Sequence, residues 1–246
     1  MRHEFDSPAA VIDRVAGLLD EFHAGGHLTL SELSERTGVP RSSVHRLLNQ
    51  LIEAGWVRRE GRRYALGRSM FEWGALAQHH DELHRAAHNV LHELHSATGL
   101  VAHLAVLEGH EVRYLDKVGC ETVPLPSRVG GRQPAYRTAL GKALLAHTHL
   151  SPSTPALPGA DSTRLRGEIA QVRERHVAQE REETVRGVAC VAAPIGDGRT
   201  CAGALSVTGA VDTVDVVSLA TPVRVAARAV WRALSHNHKG FQRTSA

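Results

Sequence analysis

The chain has 246 residues, 42% hydrophobic and 22% charged with a net charge of only +3, the composition of a folded protein rather than of a disordered tail or a fibrous repeat. No apolar run approaches the ~20 residues needed to span a bilayer, and the start lacks a basic segment followed by an apolar core, so a cytoplasmic protein is expected. Cys120, Cys190 and Cys201 lie far apart, form no Cys-x-x-Cys and cannot all pair, which excludes a disulfide scaffold and fits a reducing compartment.

In chain order, Met1 to Asp6 reads as a loose arm. Ser7-Pro8 then supplies an N-cap followed by proline at the first helical position. Val11, Ile12, Val15, Leu18, Leu19 and Phe22 form a helical stripe that Gly25-Gly26 stops. Thr29-Leu30-Ser31-Glu32 has the capping-box pattern and Gly38 suits a left-handed stop, predicting a short helix over 29–37. After the Gly38-Val39-Pro40 turn, Val44, Leu47, Leu48, Leu51 and Ile52 fall on one helical face. The opposite face carries Ser42, Ser43, Arg46, Asn49 and Gln50, with Arg41 and His45 at its margins. Arginine and amide side chains can bond base edges in the major groove, and hydroxyls can reach phosphate.

Gly55 ends that helix, and strands over 56–59 and 62–66 are expected to flank a Glu60-Gly61 turn. Residues 41–68 hold seven arginines (41, 46, 58, 59, 62, 63, 68) against Glu53 and Glu60. Positive charge is thus concentrated where a recognition helix and a basic wing carrying Arg62 and Arg63 would meet a phosphate backbone. This layout is a winged helix-turn-helix, complete by about residue 67, and the expected partner is double-stranded DNA.

Residues 68–77 look helical and should connect two domains. A longer helix over 82–97 follows, with Leu83, Ala87, Val90, Leu91 and Leu94 as its apolar face. Beside that face run His80, His84, His88 and His92 at i+4 steps, with His95 nearby. Histidines one turn apart can bind a transition metal or sense pH, yet no cysteine or carboxylate completes a site locally; the bland alternative is a polar helix edge in a histidine-rich chain. Residues 101–107 and 111–118 read as a hairpin around Gly109, 124–134 as loop, and a helix runs from about Thr138 to His147. The Pro/Ser stretch Ser151 to Pro158 separates it from a charged helix over 163–176. Two apolar strands, 187–195 and 200–208, join at Gly196-Asp197-Gly198. A last helix, 212–235, turns Val216, Leu219, Val223, Ala227 and Val230 inward, and the polar tail from His236 is expected to fray. Hairpin, helices, hairpin and helix describe an antiparallel sheet with helices packed on it, an α+β fold.

With these residues in place, the chain resembles the IclR (isocitrate lyase regulator) family of bacterial transcription factors along almost its full length. The likeness rests on TGVPRSSVHRLLNQLIEAGWV, PAYRTALGKALLA and GVACVAAPIGDGRTCAGALSVTGA, in that order and spacing. It implies a winged helix-turn-helix over 1–67, a linker helix over 68–81 used in dimerisation, and a GAF-like effector-binding domain over 82–246. It also implies a homodimer, or a tetramer of paired dimers, with a small-molecule effector and no cofactor or membrane partner.

The resemblance places the effector between the start of the TALGK helix and the second hairpin, at Ala139, Leu140, Cys190, Ser206 and Thr208. Free N–H groups at a helix start attract a carboxylate and flanking hydroxyls complete its hydrogen bonds, so the implied effector is a small organic acid. By residue type alone, Cys190 is a small core residue and Ser206 and Thr208 alternate onto a solvent face. Glu180, with Glu183 nearer Gly187, stands where some members have an acidic residue, and Tyr136-Arg137 stands where histidine is common; those two either rim the pocket or face solvent. An enzyme is the competing class, but there is no Gly-x-Ser-x-Gly elbow, phosphate loop or His-Glu-x-x-His.

Overall fold

The structure, a computed structural model, describes residues 8–23, 25–120, 123–147 and 162–243. The expected N-terminal arm, the Ser7 cap and the Pro/Ser stretch Ser151 to Pro158 lie outside them. The chain divides into two compact units, Met1–Ala77 and Gln78–Ala246.

In the first unit α1 (Pro8–Asp20) runs into a 3-10 turn at Glu21–His23, followed by β1 (Leu28–Thr29), α2 (Leu30–Thr37), α3 (Arg41–Glu53), β2 (Val57–Glu60) and β3 (Arg63–Leu66). The capping box forms as its spacing predicts: the Glu32 N–H donates to Thr29 Oγ1 at 3.3 Å and the Thr29 N–H to Glu32 Oε2 at 2.7 Å. Gly38, at φ +68°, closes α2 in the left-handed region. Leu18, Phe22, Leu33, Val44, Leu48 and Leu51 then meet Val57 and Tyr64 in one core. The sheet has three strands, not two, because Leu28 and Thr29 pair with Tyr64 and Arg63 in the order β1-β3-β2. Two residues are too short for alternation to announce a strand. Gly67 has no room for a side chain, since a Cβ there would stand 2.0 Å from the Gly55 carbonyl oxygen.

α4 (Arg68–His80) buries none of its residues and leaves Phe71, Trp73 and Leu76 exposed. The second unit continues with α5 (Glu82–Thr98), β4 (Val101–Glu108), β5 (Glu111–Val118), β6 (Arg132–Pro134), a 3-10 turn (Ala135–Arg137), α6 (Ala139–Leu145), α7 (Ser162–Arg175), β7 (Ala178–Arg181), β8 (Val188–Gly196), β9 (Cys201–Ala210) and α8 (Val216–Arg243). Its sheet is antiparallel throughout, ordered β6-β5-β4-β9-β8-β7.

Alternation sorts the two faces. Ala102 and Leu104 of β4 with Leu205 and Val207 of β9 face α5 and α8, whereas Ala105, Ala192 and Ala204 face α6 and α7. The short edge strands β6 and β7 carry no apolar alternation, since Arg132-Gln133-Pro134 and Ala178-Gln179-Glu180-Arg181 are polar and edge strands are often charged. The last helix also continues past Ser235 to Arg243 where a frayed tail was expected.

Candidate functional site

On α3 the stripe Val44, Leu47, Leu48 and Leu51 turns inward, which leaves Arg41, Ser42, His45, Arg46, Asn49 and Gln50 exposed. Ser43 is half-buried, and with Arg46 it lines a groove against Val11 and Arg14 of α1. The wing is internally braced. Arg59 Nε donates to the Gly61 carbonyl and Arg63 to the His27 carbonyl, both at 2.9 Å, and Arg58 pairs with Glu60. Arg62 stands exposed beside Gly61. Each guanidinium has five N–H donors, so bracing by one or two leaves others for phosphate.

A second constellation lies on the α6/α7 face of the other unit's sheet. Register assembles it: His103 pairs with Ser206 and Ser206 with Ala192, while Thr208 pairs with Cys190 and Cys190 with Glu180, so two neighbouring rows across four strands carry these side chains on one face. His103, Ser206, Thr208 and Glu180 are all buried, and they face the start of α6. His103 Nε2 stands 2.8 Å from Ser127 Oγ, its Nδ1 3.4 Å from Thr208 Oγ1, and Thr208 Oγ1 in turn donates to Cys190 Sγ at 3.2 Å. Tyr114 Oη donates to Gln133 at 3.2 Å. These groups line a partly open cavity of about 30 Å³.

Glu180 is held from behind. Its Oε1 accepts the backbone N–H groups of Glu183 at 2.5 Å and Thr184 at 3.0 Å. Burial nevertheless outweighs those bonds and raises its carboxyl above the ordinary carboxylate range. Burial, with the Glu180 charge adding to it, likewise pushes the Cys190 thiol and the Tyr114 phenol up, so both are neutral at physiological pH. Among the described residues no lysine or arginine lines this cavity.

α6 itself starts at Thr138, whose hydroxyl accepts the Gly141 N–H at 2.9 Å. Gly141 is obligatory, because a Cβ there would lie 2.0 Å from the Ala135 carbonyl oxygen. The next residue, Lys142, is 1% exposed and bridges Glu168 at 2.8 Å and Glu183 at 2.7 Å. Of the residues anticipated at the effector site, Ala139, Leu140, Glu180, Cys190, Ser206 and Thr208 line the cavity, whereas Tyr136 and Arg137 do not. Tyr136 packs against the apolar cluster beneath α6, and the Arg137 guanidinium turns to the Glu183 carbonyl. His103, Tyr114, Ser127 and Gln133 were not anticipated; only His103, an odd imidazole in an apolar strand, carried any local signal.

Elsewhere in this unit His84 and His88 of α5 converge on Asp116 of β5, 28 residues beyond His88 in the chain. His88 and His92 stack edge-on, and His80 contacts His79. No helix among the described residues is long and apolar enough to cross a membrane.

Two family models match the chain: the IclR helix-turn-helix domain over residues 11–61 and the bacterial transcriptional regulator IclR C-terminal domain over 75–236. The chain is similar to the HTH-type transcriptional regulator KdgR of Escherichia coli, 31% identical over 206 residues that cover 78% of each protein. It is also similar to XynR of the same organism, 29% identical across 92% of this chain and 97% of that one. The solved structure of an IclR homolog from Microbacterium hydrocarbonoxydans, complexed with 4-hydroxybenzoate, shares the fold at TM-score 0.78 and 23% identity, over 92% of this chain and 99% of that chain. With a winged helix-turn-helix in one unit and a small cavity against a six-stranded sheet in the other, the chain belongs to the IclR family of ligand-responsive, DNA-binding transcriptional regulators.

Proposed function

We propose that this regulator is a repressor, active as a homodimer, that reads its operator with α3 and the β2–β3 wing and releases it when a small hydroxylated organic acid enters the cavity at the start of α6. The observation that carries the effector class is the cavity itself. A carboxylate suits the Ala139 and Leu140 amides and the hydroxyls of Ser206 and Thr208, while a ligand hydroxyl suits Glu180, which accepts but has no cation beside it in the cavity. An acid without a hydroxyl would leave Glu180 only the two backbone N–H groups and the Cys190 thiol, a weaker donor than a hydroxyl. The related structure that holds 4-hydroxybenzoate, an acid with one hydroxyl, supports the same class.

The cavity is smaller than such a ligand, so binding opens it. Dimerisation through α4 is supported by its exposed Phe71, Trp73 and Leu76, large apolar side chains that no neighbour among the described residues buries. Repression follows the names of two further relatives, the transcriptional repressor IclR of E. coli and the acetate operon repressor of Salmonella typhimurium. Ser127 and His103 have the spacing of a hydroxyl and its general base, but Thr208, not a carboxylate, stands at the other imidazole nitrogen, which suits binding better than catalysis.

The test is a shift assay on the intergenic DNA upstream of the gene, with aliphatic and aromatic acids offered with and without hydroxyls. One hydroxylated acid is expected to release the DNA, its deoxy analogue to act at least tenfold more weakly, and Ser206→Ala with Thr208→Val to blunt the response while DNA binding persists. Release by deoxy acids as readily as by hydroxylated ones would overturn the effector class, and unaltered response in the double variant would put the ligand elsewhere.

A further inference from the structure

The histidine series on α5 meets a carboxylate that only the folded sheet supplies. β4 and β5 pair in regular register from Glu108–Glu111 to Ala105–Tyr114, and then the register slips, so that Leu104 lies opposite Asp116 and Leu115 is the extra residue of a β-bulge. Without the bulge, residue 116 would follow Val112 and Tyr114 onto the α6 face. With it, Asp116 shares the face of Leu104 and Val118, beneath α5. Its Oδ1 accepts the Lys117 N–H at 2.8 Å, which fixes the carboxylate and leaves Oδ2 to the helix.

Two imidazoles reach that one oxygen, His84 through Nε2 and His88 through Nδ1, each at 3.3 Å. They sit at i and i+4, one turn apart on one helix face. The separation is longer than the usual 2.7–3.2 Å or so of an N–H···O bond. It matches the edge of a tetrahedron around zinc, where metal–ligand bonds of about 2.0–2.1 Å put ligand atoms about 3.3–3.4 Å apart. The three donor atoms all lie within 4.8 Å of one another. His84 and Asp116 are mostly buried, at 15% and 13% exposure, while His88 is half exposed and opens the cluster to solvent.

We propose that His84, His88 and Asp116 form a binding site for a divalent transition metal, zinc by preference, with solvent completing the coordination, and that the metal staples α5 to β5. Two neutral nitrogens and one carboxylate oxygen are the donor set that suits zinc and its neighbours rather than magnesium or calcium, which take oxygens. The backbone N–H on Asp116 Oδ1 plays the outer role such sites commonly have, holding the ligand in place. The cluster faces α5, on the opposite side of the sheet from the effector cavity, so the proposal stands apart from the effector reading.

The experiment is a zinc titration of the full-length, untagged, chelator-stripped protein against a chromophoric competitor, with thermal melts alongside and cobalt as a spectroscopic substitute. One zinc per chain is expected to bind, to raise the melting midpoint, and to give with cobalt the visible absorption of a four-coordinate site. Asp116→Asn and the exposed His88→Gln, which keep size and packing, should each weaken binding at least about tenfold and remove the midpoint shift, while His79→Gln with His80→Gln leaves both intact. Absence of stoichiometric zinc binding, retention of it in Asp116→Asn and His88→Gln, or its loss in the His79/His80 variant would each overturn the assignment.

Discussion

Glu180 shows how a single side chain couples the site to stability. Because burial raises its carboxyl above the ordinary value, the folded state holds that proton more tightly than the unfolded state does. The folded state therefore loses stability as pH rises from the ordinary carboxylate value through the raised one. Replacing Glu180 with Gln keeps an acceptor for the Glu183 and Thr184 amides and removes the ionisation. The variant's melting midpoint should match the parent's near pH 4 and exceed it as pH rises above the ordinary carboxylate value; a gap that does not change with pH would show that Glu180 does not carry this burden. Lys142 is the opposite case. Burial alone would raise Glu168, but hydrogen bonds from Lys142 and Arg164 lower it, so the buried ammonium and its carboxylates form a satisfied network. Lys142→Met leaves Glu168 and Glu183 with Arg164, a mostly exposed partner, and is expected to cost about 1–3 kcal/mol in urea unfolding. A loss under 1 kcal/mol or so would mean water reaches those carboxylates readily.

Among the elements, α2 and α3 hold together by signals a few residues long. Thr29→Ala removes the hydroxyl that caps α2 and should cost about 1 kcal/mol of the winged unit's stability, read as a lowered urea midpoint at unchanged slope. α3 illustrates a division of labour along one helix: its inward leucines fix orientation, and its outward face is left to specificity. Arg46→Ala is expected to lose about 1–3 kcal/mol of operator affinity with circular dichroism unchanged. If the variant still discriminates operator from scrambled DNA as the parent does, Arg46 belongs to the groove beside α1 and not to base readout. β7, a polar segment without an apolar run, is an edge strand whose alternation sends Glu180 inward and Gln179 and Arg181 outward.

For the molecule as a whole, coupling between effector and operator is reciprocal whatever its structural route: if the acid weakens DNA binding by some factor, operator DNA must weaken acid binding by the same factor. Measuring acid affinity with and without a saturating operator duplex checks this, and an acid whose affinity ignores the duplex is not the effector. The winged helix-turn-helix, the two hairpins of the larger sheet and the family were legible in the sequence because their signals are local: a capping box across three residues, a leucine stripe at i, i+3 and i+4, and glycines where a turn or a close approach permits nothing else. Ala139, Leu140, Cys190, Ser206 and Thr208 were placed by likeness to relatives, not by chemistry read from the chain. Only the tertiary structure brought Ser127 to His103, turned Tyr136 and Arg137 away from the cavity, and used a one-residue bulge to deliver Asp116 to the histidines of α5. Those outcomes depend on strand order, register and the slip at Leu104/Ala105. Pairings between residues tens of positions apart set them, and no local periodicity encodes such pairings.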